Sequence, residues 1–515
     1  MSPTPPAGRQ VVLVHCPPHG EVEFLNIGLA YLQAVLQQAG HQTLCHDISF
    51  AEHHAGTDFY DDYILELSRR IGGGVGDGVD PRLLLEVVHP EAFDRLPPLA
   101  ETIVRKADQH LLRIRDGGEV FLFSLNVLTQ YFAAALASRL RKLGKRTAAG
   151  GPNLGCEPLR NLLLRAGVFD AVVVGDGEGV VAPLVEQLES RAEPVPLPGV
   201  YRLTTDGAVT GSPPAAPLPV DSLPRPSLAG MTLNNFVPIL ASRGCARRCA
   251  FCSETSKARF RQRTAAAVVA EMEWAAASYH NQNFHFHDDQ INGSAAWTDE
   301  FCELLVERRH RFTWESFCGP EGLTPARLDA MRRSGCVLLK LGVQSFSDRV
   351  LQLMRRRPDP TAIKETILHG ARIGVSMRFD MLTCFPGETD EDHRLNLQVL
   401  KEIYAQTAEV HFSPNPFYLS IGSETEMHPD RFGIRVEHFD PETLPATLGD
   451  LVRASGHFPI GFAYGIGPDT VRQRMDDLGA VLKQRGIDYL YLGQKQRPTG
   501  GPRPGRRGGP TGTTR

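Results

Sequence analysis

The stretch Gly244–Cys252, GCARRCAFC, places three cysteines within eight positions. Cys245, Cys249 and Cys252 follow the spacing Cys-x3-Cys-x2-Cys, and an aromatic residue, Phe251, precedes the last thiol. Ten cysteines in 515 residues are too sparse for a disulfide scaffold, so a tight cluster indicates metal ligation or redox chemistry. Soft thiolates select zinc, copper(I) or iron–sulfur clusters.

The spacing favours an iron–sulfur cluster over zinc. A structural zinc ion takes four ligands, usually as two paired knuckles, and no second Cys-x2-Cys occurs in the chain. A four-iron cluster held by three thiolates leaves one iron with an open coordination site. Because an open iron is reactive rather than structural, we expect a catalytic cluster.

The second half of the chain predicts a partial barrel. Strand patterns alternate with helical segments such as TAAAVVAEMEWAAASYH. The predicted strands are 237–241, 284–288, 312–317, 337–342, 376–385 and 410–413. Six such units suggest a partial β/α barrel, whose chemistry lies at the carboxyl ends of its strands. The cysteines follow the first strand and therefore fall on that face.

The first half predicts a second α/β domain. Buried strand patterns at 11–16 and 120–125 are each followed by an amphipathic helix, one closed by Gly40 and the other by Gly144. This alternation predicts a doubly wound, Rossmann-like parallel sheet, whose ligands lie beyond the carboxyl ends of the strands. Those ends are predicted at 17–20, 124–126, 150–153 and 175–179.

Composition changes mark the domain boundaries. Residues 193–230 are rich in proline and read as a linker with an embedded hairpin, because the Asp206-Gly207 pair suits a primed turn. We therefore expect the first domain at 10–192, the barrel at 231–420 and a small C-terminal cap at 421–495. The Gly-, Pro- and Arg-rich segment 496–515 has little to bury and is expected to be disordered.

Bulk properties exclude several classes of function. Hydrophobic residues make up 42% and charged residues 22%, as in an ordinary folded protein. The net charge of −4 lacks the basic excess typical of nucleic-acid binding, so no nucleic-acid partner is expected. No apolar run reaches the roughly 20 residues that span a bilayer, and the start lacks a secretory pattern. These features predict a cytoplasmic protein without a membrane partner.

The cysteine loop resembles that of radical S-adenosylmethionine (SAM) enzymes, and further motifs in about 238–417 agree. FHFHDDQIN, GVQSFSDRVLQLMRR and MRFDMLTCFPGETDED resemble the second-, fourth- and fifth-strand motifs of that family. The resemblance implies a 4Fe-4S cluster on Cys245, Cys249 and Cys252, with SAM on the open iron. The SAM contacts that it implies are Phe251, Asp289, Gln344, Ser345, Arg378 and Phe385.

Two positions depart from the family pattern. Gln344 stands where the family usually has Glu, which removes a negative charge but keeps an acceptor. Cys384 stands where the family commonly has glycine. Its thiol either packs as a small hydrophobe or acts catalytically, as a hydrogen-atom donor or a site of covalent modification.

With the barrel, the first half resembles the cobalamin-binding domain found upstream of many radical SAM enzymes. FSLNVLTQYFAAALASRLRKLG, AGGPN and VVVGDGEG occur in the family's order, with Asp176 as a departure from the usual GEGE. Because Asp-x-His-x-x-Gly is absent after the first strand, we expect no histidine ligand to cobalt. The implied cobalamin contacts are Ser124, Leu125, Asn126, Gly150, Gly151, Pro152, Asn153, Gly175, Gly177 and Glu178.

Together these resemblances imply a cobalamin-dependent radical SAM methyltransferase of natural-product biosynthesis. It would transfer a methyl group from SAM, through methylcobalamin, to an unactivated carbon or to phosphorus of a small-molecule or peptide substrate. An electron donor such as flavodoxin or ferredoxin would be its partner. A non-methylating rearrangement, ring contraction or cyclisation, and a cobalamin-binding regulator with a redox-sensing cluster, remain alternatives.

Overall fold

The computed structural model describes residues 10–17, 25–54, 63, 79–190, 193–233, 235–253, 259–357 and 359–486. The predicted tail at 496–515, the end of the predicted cap and part of the predicted strand end at 17–20 lie outside the described residues. Among the described helices, none combines the length and the apolar composition needed to cross a membrane.

The N-terminal half builds one seven-stranded sheet. Its strands are β1 (Val11–His15), β2 (Thr43–Asp47), β3 (Val120–Ser124), β4 (Arg146–Gly150), β5 (Ala171–Val173), β6 (Val200–Leu203) and β7 (Val209–Gly211). Its helices are α1 (Ile27–Gln38), α2 (Ile48–His54), α3 (Pro81–Val88), α4 (Pro98–Ile114), α5 (Gln130–Lys142), α6 (Glu157–Arg165) and α7 (Val181–Ser190). The strand order is β2-β1-β3-β4-β5-β6-β7.

Helices cover both faces of this sheet. β1 to β5 pair in parallel, and successive side chains of β1 enter different cores: Val12 and Val14 pack on one face, Val11 and Leu13 on the other. A parallel strand buried on both faces reads as a continuous apolar run, which is why VVLVH was recognisable. The predicted doubly wound fold is confirmed.

The predicted hairpin forms, but it extends the N-terminal sheet. β6 pairs antiparallel with both β5 and β7, so the proline-rich segment begins with two edge strands of the first domain. The turn between them is not a primed turn, since Gly207 has a positive φ of 81° while Asp206 does not. Asp206 instead accepts hydrogen bonds from Thr204 and Ala208, which hold the turn in a different shape.

The second half contains the expected six-stranded sheet and a small ribbon. Its strands are β8 (Val237–Ile239), β9 (Ser242–Arg243), β10 (Arg261–Gln262), β11 (Asn283–Phe286), β12 (Thr313–Cys318), β13 (Cys336–Gln344), β14 (Ser376–Thr383) and β15 (Val410–Pro416). Its helices are α8 (Ala265–Tyr279), α9 (Ala295–Glu307), α10 (Pro325–Arg333), α11 (Asp348–Leu353), α12 (Pro360–Arg372) and α13 (Asp390–Gln406).

The barrel strands lie side by side in chain order, and the ribbon stands apart. All neighbours in the order β8-β11-β12-β13-β14-β15 pair in parallel, which confirms the predicted partial barrel. Leu339, Leu341 and Phe379 pack outward into the core beneath the helices. By alternation Lys340 and Arg378 face the concave side. β9 pairs with β10 alone, antiparallel.

The C-terminal cap packs on both domains. It consists of α14 (Glu424–Met427), β16 (Arg435–His438), α15 (Ala446–Ser455), β17 (Pro459–Ala463) and α16 (Pro468–Lys483). Leu448 and Val452 of α15 enter a core of the first domain, whereas Leu478 and Leu482 of α16 enter the core of the barrel. The cap therefore joins the two domains along one side.

Candidate active site between the two domains

The cysteine loop is anchored at its centre by main-chain hydrogen bonds. The amide of Ala250 donates to the Met354 carbonyl over 3.0 Å, and the Ala250 carbonyl accepts from the Thr425 amide over 3.1 Å. Ala250 is fully buried, and Phe251 packs in the same apolar cluster as Met354. The barrel and the cap thus fix the loop between Cys249 and Cys252.

Charged groups of both signs lie near the thiols, with the carboxylates of Asp289 and Glu321 beside the arginines. Burial raises the pKa of both Cys245 and Cys249, while the guanidinium groups of Arg356 and Arg247 act in the opposite direction on Cys249. Arg356 is itself buried and donates to Glu321 over 3.0 Å. Nearby cations stabilise thiolates, the form in which cysteine binds metal.

A single metal ion and an iron–sulfur cluster place different demands on the cysteine loop. In the parts of the chain that the structure describes, no three His, Cys, Asp or Glu side chains are grouped closely enough to share one metal ion. A tetrahedral zinc site needs four ligands that converge on one point. An iron–sulfur cluster instead binds each thiolate to a different iron.

A cavity of about 800 Å³ lies where the two domains meet. The N-terminal sheet contributes the carboxyl ends of β3, β4 and β5 with their following turns. The barrel domain contributes Ser242, Arg243 and Gly244, which lead directly into the cysteine loop, together with His287 and Asp289 beyond β11. The cavity is therefore bordered by predicted cobalamin contacts and by Asp289, a predicted SAM contact, and it reaches Gly244 beside the cysteine loop.

Most of the predicted cobalamin contacts line this cavity. They are Ser124, Gly150, Gly151, Pro152, Asn153, Gly175, Gly177 and Glu178. Glycines allow the backbone to approach a ligand closely. Gly151 also has a structural reason to lack a side chain, because its φ is 126° and an added Cβ would lie 2.1 Å from the Leu125 carbonyl oxygen. The cavity volume and the small side chains along this wall fit a large, flat ligand.

Two predicted cobalamin contacts do not line the cavity. Leu125 is fully buried in a core of the first domain, and its amide donates to the Gly150 carbonyl over 2.8 Å. The Asn126 side-chain oxygen accepts from the amides of Leu128 and Thr129, each over 2.9 Å, just before α5. These contacts build the turn after β3, beside the cavity-lining residue Ser124.

The predicted SAM contacts are spread along the barrel rather than gathered at the cavity. Asp289 is exposed and lines the cavity, whereas its neighbour Asp288 is buried and accepts from the Ala241 amide over 2.9 Å. Gln344 ends β13 with an unusual positive φ of 72°. Arg378 is exposed and lies only three residues into β14, away from the strand's carboxyl end.

Ser345 and Phe385 have structural contacts. The Ser345 hydroxyl is buried and donates to the Asn396 side-chain oxygen over 3.2 Å. Phe385 is fully buried and meets Phe417 edge-on, with ring centroids 5.3 Å apart. The structure therefore gives the Ser345 side chain a partner within the protein, and the Phe385 amide donates to the Glu388 carboxylate over 3.2 Å.

Cys384 is buried behind the end of β14. Its backbone has a positive φ of 65°, which matches a position where glycine is common. Its carbonyl accepts from the Tyr464 hydroxyl over 2.8 Å, and its thiol lies 4.0 Å from an Arg474 nitrogen of α16. Burial raises the pKa of this thiol to about 11, so it is protonated near neutrality. The structure does not bring Cys384 to the cavity.

His287 is a cavity residue that the motif comparison did not single out. Burial, the neighbouring His285 ring and Lys340 together lower the pKa of His287 to about 3, so the ring is neutral. His285 is 4.9 Å away, centroid to centroid, and its Nδ1 lies 2.8 Å from Glu315. The alternation Phe-His-Phe-His begins in β11 and continues one residue past its end, and this two-residue period, which predicts both histidines on one face, was the available signal.

Residues 239–400 match the Radical SAM superfamily. An uncharacterized methyltransferase of Pyrococcus horikoshii is 25% identical over 273 residues, which are 50% of this chain and 58% of that protein. A tRNA-2-methylthio-N(6)-dimethylallyladenosine synthase of Chlorobium luteolum is 32% identical over 184 residues, which are 33% of this chain and 40% of that protein. The chain thus spans less than two thirds of each of these curated relatives.

Solved structures resemble nearly the whole chain. The radical SAM methyltransferase TsrM from Kitasatospora setae, with cobalamin and a 4Fe-4S cluster bound, has a TM-score of 0.63 and 18% identity, and covers 93% of this chain and 89% of its own. The cobalamin-dependent radical SAM enzyme OxsB has a TM-score of 0.55 and 14% identity over 95% of this chain and 63% of its own. Residues 239–400 therefore match a radical SAM domain, and the chain as a whole shares the fold of these two solved structures.

Proposed function

We propose that this protein is a cobalamin-dependent radical SAM methyltransferase. It would move a methyl group from SAM, through cobalamin, to an unactivated carbon or to phosphorus of a natural-product or peptide substrate. The observation that carries the proposal is the single cavity that reaches from the carboxyl edge of the N-terminal sheet to Gly244, the residue before Cys245. A corrin held in this cavity and a cluster held on the adjoining cysteine loop could act on the same substrate atom.

Each cofactor has a matching set of residues. Cys245, Cys249 and Cys252 would hold the cluster, with Arg247 and Arg356 balancing its negative charge. The turns 150–153 and 175–178 would carry cobalamin, because their backbone lines the cavity with little side-chain bulk. Asp289, which lines the cavity, would contact SAM.

When bound, the cluster with SAM supplies a hydrogen-abstracting radical and cobalamin supplies a transferable methyl group, chemistry that no side chain provides. The chain's own residues would bind the cofactors, orient the substrate and shield both from water. Leu240 and Ile421, which line the cavity, present apolar surface that excludes water. The neutral His287 ring can donate or accept one hydrogen bond at the barrel wall and so fix a substrate's orientation.

Labelled SAM tests the proposal directly. We expect that anaerobic protein reconstituted with iron, sulfide and cobalamin, and given a one-electron reductant, transfers a deuterated methyl group from SAM to a product seen by mass spectrometry. Tryptophan is the first substrate to try, because a TsrM structure contains it. Small peptides are the next substrates to test.

A Cys249→Ala variant is the matched control, since it keeps the cavity but lacks one thiol. Consumption of SAM to deoxyadenosine without label in any product would favour rearrangement, ring contraction or cyclisation over methylation. Failure to cleave SAM at all, in protein that contains the cluster, would contradict an enzymatic role and favour a regulator.

A further inference from the structure

Four charged residues join the two domains at the edge of the cavity. Asp176 and Glu178 come from the turn after β5, and Arg243 and Arg261 come from the β9–β10 ribbon. Arg243 donates to Glu178 over 3.1 Å and lies 3.4 Å from Asp176, while Arg261 lies 2.8 Å from Asp176. We call this set the interdomain ion cluster.

The ribbon closes the base of the cysteine loop. Arg243 and Arg261 are directly opposite each other in the antiparallel pairing of β9 with β10, and the cysteines lie between these two strands in the chain. Like charges in facing positions destabilise a two-stranded pair. Here Asp176 contacts both guanidinium groups, so an anion of the other domain offsets that repulsion.

The interdomain ion cluster is largely shielded from solvent, with Asp176 as its most exposed side chain at 28%. The Glu178 side chain is 5% exposed, and those of Arg243 and Arg261 are 16% and 17% exposed. The Arg243 guanidinium also lies 5.4 Å from the ring centroid of Tyr31, a residue of α1 that lines the cavity. Shielded, charge-assisted contacts of this kind are stronger than surface ion pairs.

The acidic partners sit on the wall where cobalamin is proposed to bind. Asp176 and Glu178 lie in the same turn as Gly175 and Gly177, and all four residues line the cavity. A ligand that orders this turn would also fix the two carboxylates against the arginines. Carboxylates held by the arginines would in turn order the turn for the ligand, because a coupling between two sites is reciprocal.

We propose that Asp176 and Glu178 are positioning residues that couple cobalamin binding to the cysteine loop. Through Arg243 and Arg261 they hold the base of the loop, so cobalamin in the cavity and a cluster on the loop favour one another. This inference rests on the proposed function, because it assigns the cavity to cobalamin. It also gives Glu178 a role distinct from direct contact with the corrin.

The test compares cobalamin affinity with and without the cluster. Hydroxocobalamin is titrated optically into anaerobic wild-type protein before and after reconstitution with iron and sulfide. We expect about fivefold tighter binding by the cluster-loaded protein, a typical coupling between sites. In the double variant Asp176→Asn/Glu178→Gln the two affinities should be equal. The single variant Asp176→Glu keeps the charge and should retain the coupling.

A second measurement needs no cofactor. Amide hydrogen exchange of peptides covering 239–253 and 259–264 should be about fivefold faster in the apo double variant than in apo wild type, since the ribbon loses its counter-ions. Glu273→Gln is the matched control, because Glu273 pairs with Arg308 and His310 within the barrel domain, away from the interface. It should change neither exchange nor coupling.

The outcomes separate this inference from the proposed function. Wild-type protein that binds cobalamin equally well with and without the cluster would overturn the coupling and leave the proposed function intact. A double variant that keeps wild-type coupling would also overturn it. Protein that binds no cobalamin at all would remove the proposed function, while the hydrogen exchange would still show whether the ion cluster holds the loop.

Discussion

At the scale of the residue, the three thiols carry the strongest signal in this chain. Their pattern is recognisable in the sequence because Cys245, Cys249 and Cys252 all lie within eight consecutive positions. Contacts that join distant segments left no such signal. Glu178 and Arg243 are 65 positions apart, and Ser345 finds Asn396 across 51 positions, so a motif could name Glu178 and Ser345 but not the side chains that they bind.

A single thiol should decide iron binding. We expect Cys249→Ala to lose most of the roughly four irons per chain that the reconstituted wild type should hold, because two thiolates retain a cubane poorly. Iron and sulfide assays after desalting measure this. Cys302→Ala is the control, since Cys302 is buried on α9, and its loss should cost about 1 kcal/mol of stability without loss of iron. Full iron content in Cys249→Ala would contradict the assignment.

At the scale of the element, strands and helices were predictable wherever burial follows a period. The six barrel strands were found as apolar runs, with ends that differ from the structure by a few residues. The periodicity of apolar residues did not indicate which sheet a strand would join. The hairpin β6–β7 was recognisable from Asp206-Gly207, yet its pairing with β5 depends on a tertiary contact that no local pattern encodes.

The helix α13 offers a test at this scale. Asp392 completes a capping box with Thr389 and accepts from Ser347 over 2.6 Å and from Arg349. Burial raises the pKa of Asp392, but the hydrogen bonds from Arg349, Ser347 and Thr389 outweigh it and hold this pKa well below its usual value. We expect Asp392→Asn to destabilise the apo-protein by about 1–2 kcal/mol at pH 7.

The pH dependence of this loss has a definite sign. Because the folded-state pKa of Asp392 is depressed, its stabilisation is present above the unfolded value near 4 and is lost as the pH falls. The difference in thermal midpoint between wild type and Asp392→Asn should therefore narrow as the pH is lowered from about 5. Glu391→Gln, an exposed neighbour in the same turn, should leave the midpoint nearly unchanged. If the difference in thermal midpoint between wild type and Asp392→Asn widened at acid pH, this account of Asp392 would be refuted.

At the scale of the whole molecule, residues of the two domains and the cap line the cavity described above. Whether cobalamin occupies it can be tested with a substitution that leaves the fold intact. Gly155 lines the cavity and has no heavy atom within 4 Å of an added Cβ. We expect Gly155→Trp to weaken cobalamin binding at least about tenfold, because the indole takes the ligand's space. Gly465, equally open but outside the cavity, supplies the control Gly465→Trp. Unchanged affinity in Gly155→Trp would place cobalamin elsewhere.

The central proposal is that one chain holds an iron–sulfur cluster on the cysteine loop and a corrin in the cavity that borders this loop. The most direct test is the content of iron, sulfide and cobalamin in a single preparation of anaerobically reconstituted, desalted wild-type protein. The account predicts about four irons, about four sulfides and about one corrin per chain. Zinc in place of iron, or iron without any retained corrin, would contradict it.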